Sequence, residues 1–133
     1  MTEVRFLKLE EILIIHEDQI KRYGGLHGVR DIYLLESAIA QPIAKYQKKY
    51  LHKNIYQMAA AYLFHICMNH PFNDGNKRTA LVSMILFLRL NGIYLNCEEK
   101  NLELLVLNVP QKKTTKAKIA QFLKKHSLME RNL

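Results

Sequence analysis

The chain has 133 residues, with 20 Lys and Arg against 12 Asp and Glu, a formal net charge of +8 at pH 7. Apolar residues make up 49% and charged residues 24%, a globular balance that excludes a disordered chain, a collagen-like fibre or a disulfide scaffold. That length suits a single domain over 1–133, and the surplus charge points to an anionic partner without choosing among nucleic acid, acidic protein and nucleotide.

In chain order, Glu3, Glu10, Glu11, Glu17 and Asp18 interrupt the first apolar residues, so no signal peptide is read there. Glu10–Arg22 alternates apolar and charged faces as a helix and stops at Gly24-Gly25. Asp31 suits the N-cap of a helix over Ile32–Gln41, with Leu34, Leu35, Ala38 and Ile39 at helical spacing, and Pro42 ends it. The stretch 43–54 is rich in Lys and Tyr, has no clean period, and is read as a loop or flap. Ile55–Asn69 is the next helix, followed by a polar loop over His70–Asn76. Lys77–Leu90 is apolar on nearly all sides, which places that helix at the centre of the domain, and Asn91-Gly92 closes it. Ile93–Asn96 is the one strand-like piece, short enough to be a connector. Leu102–Val109 reads as a short helix ended by Pro110, and Thr114 or Thr115 as the cap of a last helix through Lys125.

The fold class expected is therefore all-α, with a central buried helix entered through a polar loop. Cys67 and Cys97 form no C-x-x-C pair, and Cys67 reads as a buried, reduced thiol. The longest strongly apolar run, Ala80–Leu88, falls short of the ~20 residues of a membrane span, so no membrane partner and a cytoplasmic location are expected.

The polar loop and the first turn after it read His70-Pro71-Phe72-Asn73-Asp74-Gly75-Asn76-Lys77-Arg78. Gly75 permits positive φ and close backbone approach, and Asn76 suits the cap of a helix starting at Lys77. Free N–H groups at a helix start attract anions, and Lys77 and Arg78 oppose the dipole unless an anion lies between. Asp74 offers a hard oxygen for Mg²⁺, and His70 can accept a proton from a hydroxyl near neutral pH. Phe72 is the odd apolar residue and is expected to anchor the loop in the core. Taken singly, each of these residues also suits an ordinary inter-helix turn. His16, His27, His52, His65 and His126 are read as structural. A metal site made of His70 and Asp74 alone lacks a third ligand.

Taken whole, the string resembles the signature of the Fic/Doc (Fido) family, His-x-Phe-x-Asp/Glu-Gly-Asn-x-Arg. Gly24-Gly25, Gly28-Val29-Arg30-Asp31, Leu34-Leu35-Glu36-Ser37-Ala38-Ile39 and Pro42 are similar to its death-on-curing branch, as are Asn76-Lys77-Arg78-Thr79-Ala80 and Asn91-Gly92. The resemblance implies a Fido-type helical domain that uses ATP and Mg²⁺. It implies His70 as general base on a Ser or Thr hydroxyl of a target protein and Asp74 as metal ligand. Gly75, Asn76, Lys77 and Arg78 then make the phosphate cradle.

Where Fic enzymes that transfer AMP have a second glycine and a second arginine, this chain has Lys77 and Leu81. Both departures resemble the death-on-curing branch, whose members are protein kinases and toxins acting on elongation factor Tu. Gly75 is instead the residue favoured in AMP transferases, and AMP transfer stands as the alternative. No Ser/Thr-x-x-x-Glu-Gly/Asn self-inhibitory pattern is present, Ser127 to Glu130 having the wrong spacing. Control is therefore expected from an antitoxin in trans, acidic and partly disordered. A nucleic-acid-binding module is the third reading, resting on Lys112, Lys113, Lys116, Lys118, Lys124 and Lys125. A solvated helix face is the preferred explanation of those lysines, and nucleic acid is not expected as a direct partner.

Overall fold

The computed structural model describes residues 3–129. Its helices are α1 (Leu9–Tyr23), α2 (Ile32–Ala40), α3 (Ile55–Asn69), α4 (Asn76–Leu90), α5 (Glu99–Asn108) and α6 (Lys116–Lys125). Four short strands, β1 (Lys45–Tyr46), β2 (Lys49–Tyr50), β3 (Ile93–Leu95) and β4 (Ser127–Met129), complete an all-α architecture.

The helix starts follow from their caps. The Asp31 carboxylate accepts from the N–H groups of Tyr33 and Leu34, Asn54 from Gln57, and Thr115 from Lys118. Such caps contribute about 1 kcal/mol each. Helix α1 carries Glu10 and Glu11 in its first turn and Lys21 and Arg22 in its last, the arrangement its dipole favours. It ends at Gly24, whose N–H reaches the Ile20 carbonyl.

Helix α3 packs on α2, α4 and α6, and α4 packs also on α1, β3 and α5. The centre is thus a helix pair. Ala59, Ala60 and Ala61 are fully buried along α3 and let its neighbours approach closely. Tyr62, Leu63, Met84, Phe87 and Leu88 fill the space between, with Leu35 from α2 and Ile119 and Leu123 from α6. Helix α4 is less enclosed than its composition predicts: Leu81, Val82, Ile85 and Leu86 are half-buried, and Lys77, Arg89 and Leu90 are exposed.

Two short pairings depart from the sequence reading. The stretch read as a loop or flap contains an antiparallel hairpin, Lys45 opposite Tyr50 and Tyr46 opposite Lys49. The piece read as a connector pairs antiparallel with the end of the described chain, Ile93 opposite Met129 and Leu95 opposite Ser127. Three-residue strands carry too few residues to show a period. Glu130 lies outside the described residues. Helix α5 begins three residues before the expected Leu102, and α2 ends one residue before Gln41.

The C-terminal lysines are exposed except Lys116, whose Nζ lies 3.2 Å from His52 Nε2 and 3.0 Å from His65 Nε2. Burial, with the neighbouring Lys116 charge, pushes the His65 imidazole down to about 4, and His52 is lowered for the same reasons. The unfolded imidazoles protonate at their ordinary value, 6.5, so between there and about 4 the unfolded chain binds more protons than the folded one. Stability is therefore expected to fall as pH drops through that window. Thermal melts at pH 7 and pH 4.5 check this, and His65→Gln is expected to flatten the dependence.

Candidate functional site

The polar loop between α3 and α4 has no regular structure, and its backbone groups are satisfied by a second irregular segment, residues 24–31. The Pro71 carbonyl accepts from the N–H groups of Arg30 (2.7 Å) and Asp31 (3.1 Å). The Asn73 N–H donates to the Gly28 carbonyl at 3.1 Å, and Asn73 Nδ2 donates to the His27 carbonyl at 3.0 Å. Val29 and Phe72 form an antiparallel bridge.

His70 is the C-cap of α3, in the left-handed region at φ 49° and ψ 55°. Arg30 fixes it there, donating from Nε to the His70 carbonyl at 2.8 Å and from Nη2 to the Asn69 carbonyl at 3.2 Å. This cation at a helix C-terminus also complements the dipole. The His70 side chain is exposed and makes no hydrogen bond among the described residues.

Phe72 is fully buried, as its role of anchor requires. Its ring stacks on His16 of α1 at a centroid distance of 3.9 Å and an interplanar angle of 6°. His16 Nε2 in turn lies 2.8 Å from the Asp74 carbonyl oxygen, a contact in which the ring nitrogen donates. His16, read from sequence as structural, holds the loop from below. Arg30 was not singled out as a site residue. Only spatial proximity identifies either one.

Asn76 corrects the sequence reading. It is the first residue of α4, not its capping side chain; the N-cap is Gly75, at φ 74° and ψ 21°. The Asn76 amide turns back into the loop, where Oδ1 accepts from the Phe72 N–H at 2.9 Å and Nδ2 donates to the Phe72 carbonyl at 3.0 Å. Its side chain is thus held by the loop, and α4 begins without a side-chain cap. The first-turn N–H groups are left for solvent or an anion. A Cβ at Gly75 would meet Ile20 Cδ1 at 3.1 Å, so the bare glycine both accepts the positive φ and leaves the helix start open.

Asp74 faces residues 24–26. Its Oδ2 accepts from the Leu26 N–H at 3.0 Å, and a Cβ at Gly25 would lie 3.0 Å from the same oxygen. One carboxylate oxygen is thereby held and Oδ1 remains. Arg78 donates from Nη2 to the Gly24 carbonyl at 3.0 Å and lies over the Tyr23 ring at 5.4 Å. Lys77 is exposed.

These residues line one cavity of about 380 Å³, with His70, Asp74, Gly75, Asn76, Lys77 and Arg78 joined by Cys67 and Pro110. Burial pushes the Cys67 thiol up to about 12, which keeps it protonated and poor as a nucleophile. No group of three His, Cys, Asp or Glu side chains that could hold a metal ion exists among the described residues. A resident multi-ligand metal centre does not fit. A single hard carboxylate beside an open helix N-terminus does fit Mg²⁺ carried in on phosphates, since Mg²⁺ is commonly bound by one or two carboxylates, phosphates and water. Leu81, at the place of a second arginine, lies with Val106 and Leu107 in an adjoining apolar recess.

Comparison with known proteins gives the family. A family model described as the Fic/DOC family matches residues 6–88. The chain is 39% identical over 90 residues to Protein kinase doc of Escherichia phage P1, covering 68% of this chain and 71% of that protein. It is 40% identical over 73 residues to Toxin Doc of Mycolicibacterium smegmatis, covering 55% of this chain and 56% of that one.

Substitutions should separate packing from chemistry. Phe72→Ala is expected to cost about 3–5 kcal/mol as a buried ring lost. Asn76→Ala, which strands two buried backbone groups of Phe72, should cost about 1–3 kcal/mol. His70→Ala, at an exposed and unpartnered ring, should stay within about 0.5 kcal/mol. Urea unfolding of the three variants measures each value.

Proposed function

The chain belongs to the Fic/DOC family, and from that footing we propose that it is the toxin of a toxin–antitoxin pair, acting as a protein kinase. Its co-substrate is ATP with Mg²⁺, and its target is a Ser or Thr hydroxyl of a translation factor, elongation factor Tu first among them. Modification of that factor blocks protein synthesis. The names of the two relatives, a protein kinase and a toxin, support the reading. The observation that carries it is the uncapped start of α4 facing one cavity with Lys77, Asp74 and the unpartnered His70.

In this mechanism His70 takes the proton of the target hydroxyl as its oxygen bonds to the γ-phosphorus. The bond to the bridging oxygen breaks, and the electron pair leaves with ADP. The backbone N–H groups of Asn76, Lys77 and Arg78 receive the phosphate oxygens, and Lys77 supplies a mobile point charge. Asn76 contributes through its backbone only, because its amide holds Phe72. Asp74 presents Oδ1, the oxygen not taken by Leu26, to Mg²⁺, which neutralises phosphate charge when bound. Charge stabilisation and positioning dominate phosphoryl transfer, so a rigid cradle matters more than any single acid or base.

AMP transfer is the second reading, favoured by Gly75. Leu81 weighs against it, because an apolar side chain in that recess cannot grip a phosphate as a second guanidinium would.

An acidic, partly disordered antitoxin is the partner that suits a surface of net charge +8. No helix among the described residues is long and apolar enough to cross a membrane, and a translation-factor target places the activity in the cytoplasm.

ATP labelled at the γ- or the α-phosphate, incubated with the chain and elongation factor Tu, tests the assignment. The γ-label is expected in the factor, at a rate that His70→Ala lowers by about 10²–10⁴. Incorporation of the α-label would establish AMP transfer instead, and no incorporation from either would overturn both.

A further inference from the structure

A second concave region lies between α6 and the start of α3. It is a groove of about 400 Å³ that runs along α6 from Lys116 to Lys124 and meets α3 at Asn54–Gln57. Its lining includes His52, Asn54, Gln57, Lys116, Gln121 and Lys124 and contains no Asp or Glu. This groove and the motif-loop cavity share no lining residue.

Lys116 is the unusual group. An ammonium has three N–H donors. Two of them meet the Nε2 atoms of His52 and His65, which can accept only as neutral imidazoles protonated on Nδ1. The charge is therefore fixed in place by partners that carry no countercharge, and Lys116 makes no ion pair among the described residues. Its third donor remains. Lys124 stands two turns further along α6, on the same side. Helix α6 runs antiparallel to α3, so their positive dipole ends lie at opposite ends of the groove.

The geometry points to a second anion site here, one that takes a small phosphorylated ligand. Lys116 donates its third N–H to a phosphoryl oxygen, and Lys124 and the amides of Asn54, Gln57 and Gln121 surround the rest. A groove of this size matches one small molecule. Nucleic acid fits less well: Tyr56, the aromatic residue in the lining, has its hydroxyl bonded to Ser127 and its ring half-buried, so no stacking platform is offered. The site is separate from the proposed ATP cradle and does not depend on the kinase reading. It also gives a role to two of the C-terminal lysines that the motif leaves unexplained.

Titration of the full chain with inorganic pyrophosphate, without Mg²⁺, followed by backbone amide NMR shifts, tests the proposal. Saturable shifts are expected at residues 116–118, beside the Lys116 ammonium, apart from any at 75–78. Lys116→Met should weaken that binding about tenfold or more, the scale of one charge-assisted hydrogen bond. Because Lys116 also bridges two histidines, Lys124→Glu provides a variant that leaves the bridge intact, and it should weaken binding similarly. Four results would overturn the site: shifts confined to 75–78, no saturable shift at all, unsaturated shifts spread over the exposed lysines, or affinity unchanged in Lys124→Glu. A single-stranded RNA that moves the same amides at lower concentration than pyrophosphate would replace the small ligand with nucleic acid.

Discussion

Two irregular segments, residues 24–31 and 70–76, supply each other's backbone hydrogen bonds, and the candidate site depends on that mutual satisfaction. Neither could be buried alone, because unpaired backbone groups away from water are costly. Paired, they form a platform as defined as a small sheet, with Pro71, Phe72 and Asn73 answering Gly28, Val29, Arg30 and Asp31. Phe72 drives the platform into the core, and His16 and Asn76 clamp it from either side. The exposed chemistry, His70, Asp74 and Lys77, sits on the outer surface of this block.

That rigidity permits two unfavourable local choices. A non-glycine residue in the left-handed region, as at His70, costs of the order of 1 kcal/mol and persists where the surroundings over-determine it. Two hydrogen bonds from Arg30 do so. A cation in the first turn of a helix costs about 0.3–1 kcal/mol. Arg78 is compensated by the Gly24 carbonyl and the Tyr23 ring, whereas Lys77 stands open beside the uncapped helix start. The residue left uncompensated is the one that the proposed function directs to an anion. The Lys116 ammonium repeats the logic on the flank of α3, held by neutral imidazoles rather than by a carboxylate.

Much of this was legible in the residues themselves. The bounds of α3, the caps at Asp31 and Thr115, and the burial of Phe72 follow from short-range chemistry that a linear string displays. The reversed role of Asn76 was not legible, because an amide can cap forward or staple backward, and only the position of Phe72 decides. His16 and Arg30 escaped for a related reason. One lies 58 residues from its carbonyl partner and the other 40, and no periodicity encodes such separations. Three-residue strands and a half-buried lysine between two histidines are likewise products of packing, not of pattern.

The central claim is that the loop and the start of α4 form a cradle already shaped for phosphates. A crystal structure of the chain with Mg²⁺ and a non-hydrolysable ATP analogue tests it most directly. The account predicts phosphate oxygens about 3 Å from the backbone nitrogens of Asn76, Lys77 and Arg78, as a hydrogen bond requires. It further predicts the metal on Asp74 Oδ1 and residues 70–76 unmoved. Phosphates seated away from α4, or a loop that must refold to receive them, would contradict it.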